Sequence, residues 1–179
     1  MIIAEKLITK YWRMTHRSSL MQLFMFSGFI AAISFTSCSL NDNLADKEAQ
    51  EKLDIQNFLL NNDTISFEKK TSGLYYYDFI EGTGPQVETH DTAYVFYAMQ
   101  YLSTLVFETN MGTTDTLKVG VNEGKFIPGF EEGISYMREG GKALFVVPSS
   151  LAFGAEGTIY VSPYTPFLFQ VYLVKLKKH

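Results

Sequence analysis

Cysteine is almost absent from this chain of 179 residues: Cys38 stands alone. One thiol closes no intrachain disulfide and builds no thiolate metal cluster. Histidine is nearly as scarce, with only His16, His90 and His179, too few ligands for a zinc site of the His/Cys type. There is no GxSxG elbow, no P-loop and no GxGxxG run. The common sequence marks of a serine hydrolase, a phosphate-binding enzyme and a dinucleotide enzyme are therefore missing. Positive charge is in deficit, with 15 Lys and Arg against 19 Asp and Glu and a net charge of −4. No basic stripe is present to hold a nucleic acid. What the chain does have is apolar and aromatic side chains, 46% and 15% of the total. That composition supports a packed core and excludes wholesale disorder. The length fits one domain with an appendage.

Residues 1–37 read as an address. Lys6, Lys10, Arg13 and Arg17 precede an apolar run from Leu20 to Phe35, interrupted by Gln22, Ser27, Gly28 and Ser34. The run falls short of the roughly 20 apolar residues a spanning helix needs. Small residues, Thr36 and Ser37, follow it, as at a signal-peptide cleavage site. Phe35-Thr36-Ser37-Cys38 resembles a bacterial lipobox, although leucine is usual where Phe35 stands. That resemblance implies that Cys38 is acylated and becomes the first residue of the mature protein. It implies a lipid-anchored protein of the bacterial cell envelope, on the periplasmic face or the outer membrane. Acyl chains, at about 0.8 kcal/mol per buried methylene, hold such a protein to a bilayer essentially permanently. The same residues also fit an uncut anchor helix with Cys38 incidental. The leader has ordinary length if translation starts at Met14 rather than Met1.

After a polar tether over residues 38–43, apolar residues fall at Leu44, Ala45, Ala49, Leu53, Ile55, Phe58 and Leu59. This spacing predicts a helix over 44–60, with Glu48 and Lys52 as an i,i+4 pair. Asn61-Asn62-Asp63 stops it. The helix is either a spacer that packs on the following domain or a surface for a partner, and the first is the simpler reading. With its linker it occupies 44–72.

From Gly73 the period changes to two. Strands are predicted over 74–80, 92–102, 105–109, 116–121, 142–147 and 166–176, with a hairpin across Ser103-Thr104. One short helix is predicted over 130–137, opened by Pro128 and Gly129 and closed at Gly140 or Gly141. Glu131 and Glu132 look like a carboxylate pair, but acidic residues in a first helical turn are better read as solvated charge facing the helix dipole. Gly82-Thr83-Gly84 precedes proline and no helix, so it is a turn rather than a phosphate loop. Lys175, Lys177, Lys178 and His179 read as a solubility patch. The whole is an α+β domain over 73–179, an antiparallel sheet wrapped around one short helix.

Five pieces of this domain occur in a set order: Phe126-Ile127-Pro128-Gly129-Phe130-Glu131-Glu132-Gly133, then Gly140-Gly141-Lys142-Ala143, Val147-Pro148, Leu151-Ala152-Phe153-Gly154, and the hairpin from Tyr97 to Phe107. They resemble the signature of the FKBP-type peptidyl-prolyl isomerases, with its Ile-Pro-Gly-Trp-Glu-Glu-Gly, Gly-Gly-Lys-Ala and Leu-Ala-Tyr-Gly. The resemblance covers roughly residues 73–177 without a long insertion. It implies the FKBP-like fold and an isomerase without cofactor or metal. Its substrates would be X-Pro segments of unfolded or exported proteins, and macrolides would inhibit it. It places the catalytic positions at Tyr97, Glu108, Ile127 and Phe153. It places the substrate-binding positions at Phe107, Leu117, Phe126, Phe130, Tyr160, Val161 and Phe169, with Tyr160 and Val161 in a loop that caps the pocket. Taken alone, Leu117 and Phe169 are better explained as core residues on alternating strands, and only their joint spacing with Phe126 to Gly133 moves them toward the pocket.

Three of these positions depart from the family. Phe153 replaces a tyrosine whose hydroxyl reaches the substrate carbonyl. Phe130 replaces a tryptophan at the pocket floor. Glu108 replaces an aspartate near the Tyr97 hydroxyl, and its extra methylene could turn the carboxylate into the pocket or out to water. A second reading therefore stands beside the enzyme: a catalytically weak or inactive module that holds peptides or shields unfolded chains, to which Tyr75-Tyr76-Tyr77 would add apolar contact, although one face of that strand must be core; a third is a structural surface lipoprotein with no peptide site.

Overall fold

The structure, a computed structural model, describes residues 43–179. The expectations placed on residues 1–37, on Cys38 and on most of the tether lie outside the described residues. The domain lies within the compact unit Asp46–His179. No helix among the described residues is long and apolar enough to cross a membrane.

Helix α1 runs over 43–61. Its solvent side is tied by Lys52–Glu48 (2.7 Å) and by Gln50 donating to Asp54 (2.7 Å). Each such i,i+4 pair adds a few tenths of a kcal/mol. The Asn62 amide donates to the Phe58 carbonyl at 2.8 Å and closes the last turn.

The sheet has seven strands: β1 (Glu68–Lys69), β2 (Tyr75–Ile80), β3 (Thr92–Tyr101), β4 (Val106–Thr109), β5 (Leu117–Gly120), β6 (Lys142–Val147) and β7 (Phe167–Lys177). All pairings are antiparallel, in the order β1-β2-β6-β7-β3-β4, and β5 shares the same edge of β3 with β4. The α+β expectation holds. Strand β1 falls in the stretch read from sequence as linker, so that stretch is partly built into the sheet. The β3–β4 hairpin turns over Leu102, Ser103 and Thr104, closed by the Tyr101 N–H on the Leu105 carbonyl at 2.9 Å, with Thr104 at φ 72°. Three-residue hairpins need one left-handed residue at this place.

Helix α2 (Pro128–Ser135) begins two residues before its expected start, because Pro128 is itself helical, the N-terminal position where a missing N–H costs nothing. It crosses the inner face of the sheet at close range. A Cβ on Gly129 would lie 2.3 Å from Val147 Cγ1, and one on Gly133 would lie 2.3 Å from the Phe145 ring. The two glycines are one turn apart and together form the surface that lets α2 rest on β6.

The inner core joins Val95, Tyr97 and Met99 of β3, Phe145 and Val147 of β6, Phe167, Phe169 and Val171 of β7, and Phe130 and Ile134 of α2. The outer face is covered as well. Val146 and Leu168, which point away from α2, are buried with Ile55 of α1, and Phe58, Leu59, Phe67, Tyr75 and Leu144 pack around them. The sheet is thus covered by a helix on each side.

One polar contact pins α1 in place. Glu51 is 7% exposed, and its carboxylate accepts both the backbone N–H of Ser149 and, at 2.7 Å, the Ser149 hydroxyl. Ser149 opens the 3-10 turn Ser149–Leu151 that leads into Phe153. Removing the acceptor leaves a buried N–H unsatisfied, which costs about 1–3 kcal/mol. Glu51→Ala should therefore lower the thermal midpoint by several degrees. An unchanged midpoint would mean that α1 is not docked in solution.

The basic patch is not simple solubility charge. Lys178 reaches Asp91 at 3.0 Å and Glu88 at 3.2 Å, and the His179 N–H donates to Asp91 at 3.0 Å. Burial opposes ionisation of Asp91, but the bonds from Lys178, Glu88 and His179 outweigh it and hold the carboxyl below its usual range.

Candidate functional site

The register of β3 against β7 sets Met99 opposite Phe169 and Tyr101 opposite Phe167. Alternate residues of a strand face one side, so Tyr97, Tyr101, Phe167 and Phe169 come to the face that carries α2. Phe130, at the third position of α2, is the centre of one ring group. Its centroid lies 5.4 Å from Tyr97, 5.9 Å from Phe126 and 5.0 Å from Phe169. Phe167 is the centre of a second group, 5.2 Å from Tyr101, 5.6 Å from Phe107 and 5.7 Å from Phe153. The spacings are those of favourable edge and tilted contacts. Phe130, Phe167, Phe169 and Tyr97 are buried and form a base. Phe107, Phe126, Phe153, Tyr101, Leu117 and Ile127 are half-buried around it. Val161 is also buried against this core. Tyr160 is not brought to the rings: it is 78% exposed at the tip of its loop, beside the equally exposed Ile159.

Two polar features belong to this surface. The Tyr97 hydroxyl donates to Glu108 Oε1 at 2.7 Å. The longer side chain of glutamate therefore does not break the contact with Tyr97. Burial, and then the hydrogen bond to Glu108, hold the Tyr97 hydroxyl well above the ordinary tyrosine range, so it stays protonated at neutral pH. The second feature is the start of α2. Ile127 has extended backbone (φ −60°, ψ 138°) and caps the helix, its carbonyl accepting the N–H groups of Phe130 (3.0 Å) and Glu131 (3.3 Å). Among the described residues no acceptor faces the Ile127 N–H. It is one of the donors that a helix start leaves over.

Glu131 corrects the sequence reading. It is 3% exposed, not solvated. Its side chain folds back upstream: Oε1 accepts the Phe126 N–H at 2.8 Å and Oε2 accepts the Gly124 N–H at 3.1 Å. The segment that carries Phe126 and Ile127 is thereby fixed to the helix it precedes. Glu132 is half-buried and accepts the hydroxyls of Ser72 (2.6 Å) and Tyr136 (2.9 Å). Burial and that bond push the Tyr136 hydroxyl up to about 12. Neither carboxylate is placed for acid/base work.

Sequence reasoning misses two rings and misplaces one carboxylate. Tyr101 and Phe167 complete the second ring group, and their signal is present: each lies two positions from an assigned or core residue on its strand (Met99, Phe169). Glu131 is singled out by its place in the motif, but in the wrong environment. Among the described residues no group of three or more His, Cys, Asp or Glu could hold a metal.

Residues 84–174 match the model of the family described as FKBP-type peptidyl-prolyl cis-trans isomerase. Among curated proteins, the chain is 31% identical over 137 residues to the probable FKBP-type peptidyl-prolyl cis-trans isomerase FkpA of Neisseria meningitidis, covering 75% of this chain and 48% of that one. It is 31% identical over 112 residues to FK506-binding protein 4 of Dictyostelium discoideum, 62% of this chain and 30% of that one. The chain thus spans less than half the length of these two relatives. Among solved structures, FkpA from Escherichia coli superposes with a TM-score of 0.67 at 24% identity, over 86% of this chain and 70% of that one. AtFKBP13 superposes with a TM-score of 0.57 at 24% identity, over 64% and 99%. These neighbours share the fold seen here, a sheet closed over one short helix. With a family match over half its length, and the motif from Phe126 to Gly133 at the start of that helix, this chain belongs to the FKBP-type peptidyl-prolyl cis-trans isomerase family.

Proposed function

We propose that this protein is a peptidyl-prolyl cis-trans isomerase that acts on extended X-Pro segments of exported proteins, with Tyr97, Glu108, Ile127 and Phe153 nearest the reacting amide. The observation that carries the reading is the convergence of the rings around Phe130 and Phe167 beside the unpaired Ile127 N–H. Rotation about the prolyl bond faces a barrier of roughly 18–20 kcal/mol, because the amide gives up its resonance. The twisted amide is less conjugated and less polar than the planar one. A ring-lined, water-poor surface therefore favours it over the hydrated ground state, and differential binding of this kind needs no general base. The Ile127 N–H would hold the substrate carbonyl. Tyr97, with its proton committed to Glu108, would present the remaining face of its oxygen and ring. Phe107, Leu117, Phe126, Phe130, Val161 and Phe169 would enclose the proline ring, and Tyr160 would close over it from the loop. The same surface would take a macrolide. The lipobox at Cys38 would hold the protein in the bacterial cell envelope, where exported chains are still unfolded.

Phe153 favours the second reading, a peptide-holding module with weak turnover. Its ring meets Phe167 edge-on and offers no hydroxyl to a substrate. One neutral hydrogen bond is worth about 0.5–1.5 kcal/mol, so its loss should slow the reaction roughly two- to tenfold. Phe153→Tyr should return that factor in turnover of a proline-containing tetrapeptide; an unchanged or lower rate would remove Phe153 from the reacting centre. The parent protein should itself exceed the uncatalysed rate and be stopped by a macrolide inhibitor. Binding of the peptide without acceleration would replace the enzyme by the module.

A further inference from the structure

An open cleft of about 720 Å³ lies beside the assigned residues without including any of them, between α1 on one side and the β3–β4 turn and residues 162–166 on the other. Its size is that of ligand sites, which run from roughly 300 to 1,000 Å³. The α1 wall offers the amides of Asn57 and Asn61 and the ring of Phe58; the opposite wall offers Tyr101, Thr104 and Tyr164. Amides pair with backbone N–H and C=O groups of either polarity. Rings and proline faces accept apolar side chains. The cleft has no concentration of one charge: its lining holds Lys47 and Asp54, one of each sign, and the carboxylate of Glu51 is already committed to Ser149.

Two further observations mark it. Four non-glycine residues have positive φ among the described residues, and two of them, Thr104 (72°) and Tyr164 (56°), line this cleft. The hairpin turn accounts for Thr104, although a β-branched residue there is uncommon. Such strain persists where the surroundings enforce it, and it gathers at ligand-binding sites. Here the Tyr164 N–H is held by the Gly154 carbonyl at 3.0 Å and the Thr104 N–H by the Tyr101 carbonyl at 2.9 Å. The second observation is continuity. Tyr101 lines the cleft and is also part of the ring group with Phe107 and Phe167. A polypeptide lying on those rings passes Tyr101 into the cleft.

We propose that the cleft binds the client chain beside its prolyl bond, as an extended and mostly uncharged segment, so that α1 is one wall of an accessory peptide site. The proposal rests on the isomerase reading for what sits on the rings, but binding alone can test it. The purified full-length protein is titrated with two fluorescent peptides that share an Ala-Leu-Pro-Phe core. One is the bare tetrapeptide, and the other carries several uncharged residues on each flank. The longer peptide should bind about tenfold more tightly. Asn61→Trp, which fills the cleft, and Asn57→Arg, which charges it, should each remove that advantage and leave tetrapeptide affinity unchanged. Both positions are exposed on α1, and circular dichroism of each variant identifies one that has lost its fold; the other then decides. Equal affinity of the parent for both peptides, or an advantage that survives a folded variant, overturns the proposal. Length-dependent binding without turnover overturns only the isomerase reading and leaves the cleft standing.

Discussion

Phe130→Ala should cost about 3–5 kcal/mol of stability and abolish turnover and macrolide binding together. The ring is 3% exposed and is the contact shared by Tyr97, Phe126 and Phe169. Truncation leaves a cavity under three aromatic neighbours, one of which, Phe126, is fixed at its backbone by Glu131 and cannot follow freely. A cavity that cannot collapse falls at the high end of the range. The functional loss has a separate cause. Without the base, the half-buried rings lose their support, and water gains the place from which a twisted amide must exclude it. Phe130→Leu separates the two effects: it keeps most of the apolar volume, so stability should largely survive while turnover falls. Phe130→Trp asks whether the site has the family's depth. Insertion into a filled core costs about 1–3 kcal/mol, so a tryptophan that is neutral or stabilising by urea denaturation would reveal room under the rings. A Phe130→Ala protein that is both stable and active would show that this ring is not the base of the site.

The strands are legible in the sequence because one face of each is buried, which imposes the period of two. The start of α2 is legible to within two residues because Pro128 with an acidic residue, Glu131, closely following is the pattern that a first helical turn selects. The two-sided sheet leaves a trace as well: Ala143 to Val147 is an unbroken apolar run, and so is Phe167 to Phe169, where a strand with one wet face would alternate. Those runs point to the cover that α1 provides. The contact that locks α1 is not legible, since Glu51 and Ser149 are 98 residues apart and neither is unusual locally. For the site, composition shows many rings but not which meet. That depends on the registers of β3 on β7 and of β3 on β4, each adjusted outside any sequence pattern by one shift in pairing, the first near Tyr94 and the second near Met99. The inward turn of Glu131 is hidden for a similar reason. The demand for an acceptor comes from backbone N–H groups of the preceding loop, which look the same in every sequence.

Glu131→Ala should cost about 2–4 kcal/mol, although the side chain removed is charged and buried. Removing a buried charge relieves its desolvation, which limits the loss. Against this, two backbone donors, on exposed Gly124 and half-buried Phe126, lose a charged acceptor, and water can replace it fully only at Gly124. Hydrogen bonds to a charged group contribute about 1.5–3 kcal/mol each, and the carboxylate also faces the positive start of α2, worth a further few tenths. The balance is a net destabilisation. Glu131→Gln should not rescue it: one amide oxygen can replace one acceptor, but the amide NH2 then confronts the second N–H, donor against donor. The kinetic signature should differ from that of the Phe130 variants. The rings stay, so an apolar ligand should still bind. The Ile127 N–H, one residue from the bond to Phe126, is no longer held in position, and an orienting donor that drifts by about 1 Å can cost on the order of a hundredfold. In the variant, kcat for a proline tetrapeptide should fall far more than macrolide affinity. A parallel loss of both would mean that Glu131 supports the fold without positioning Ile127.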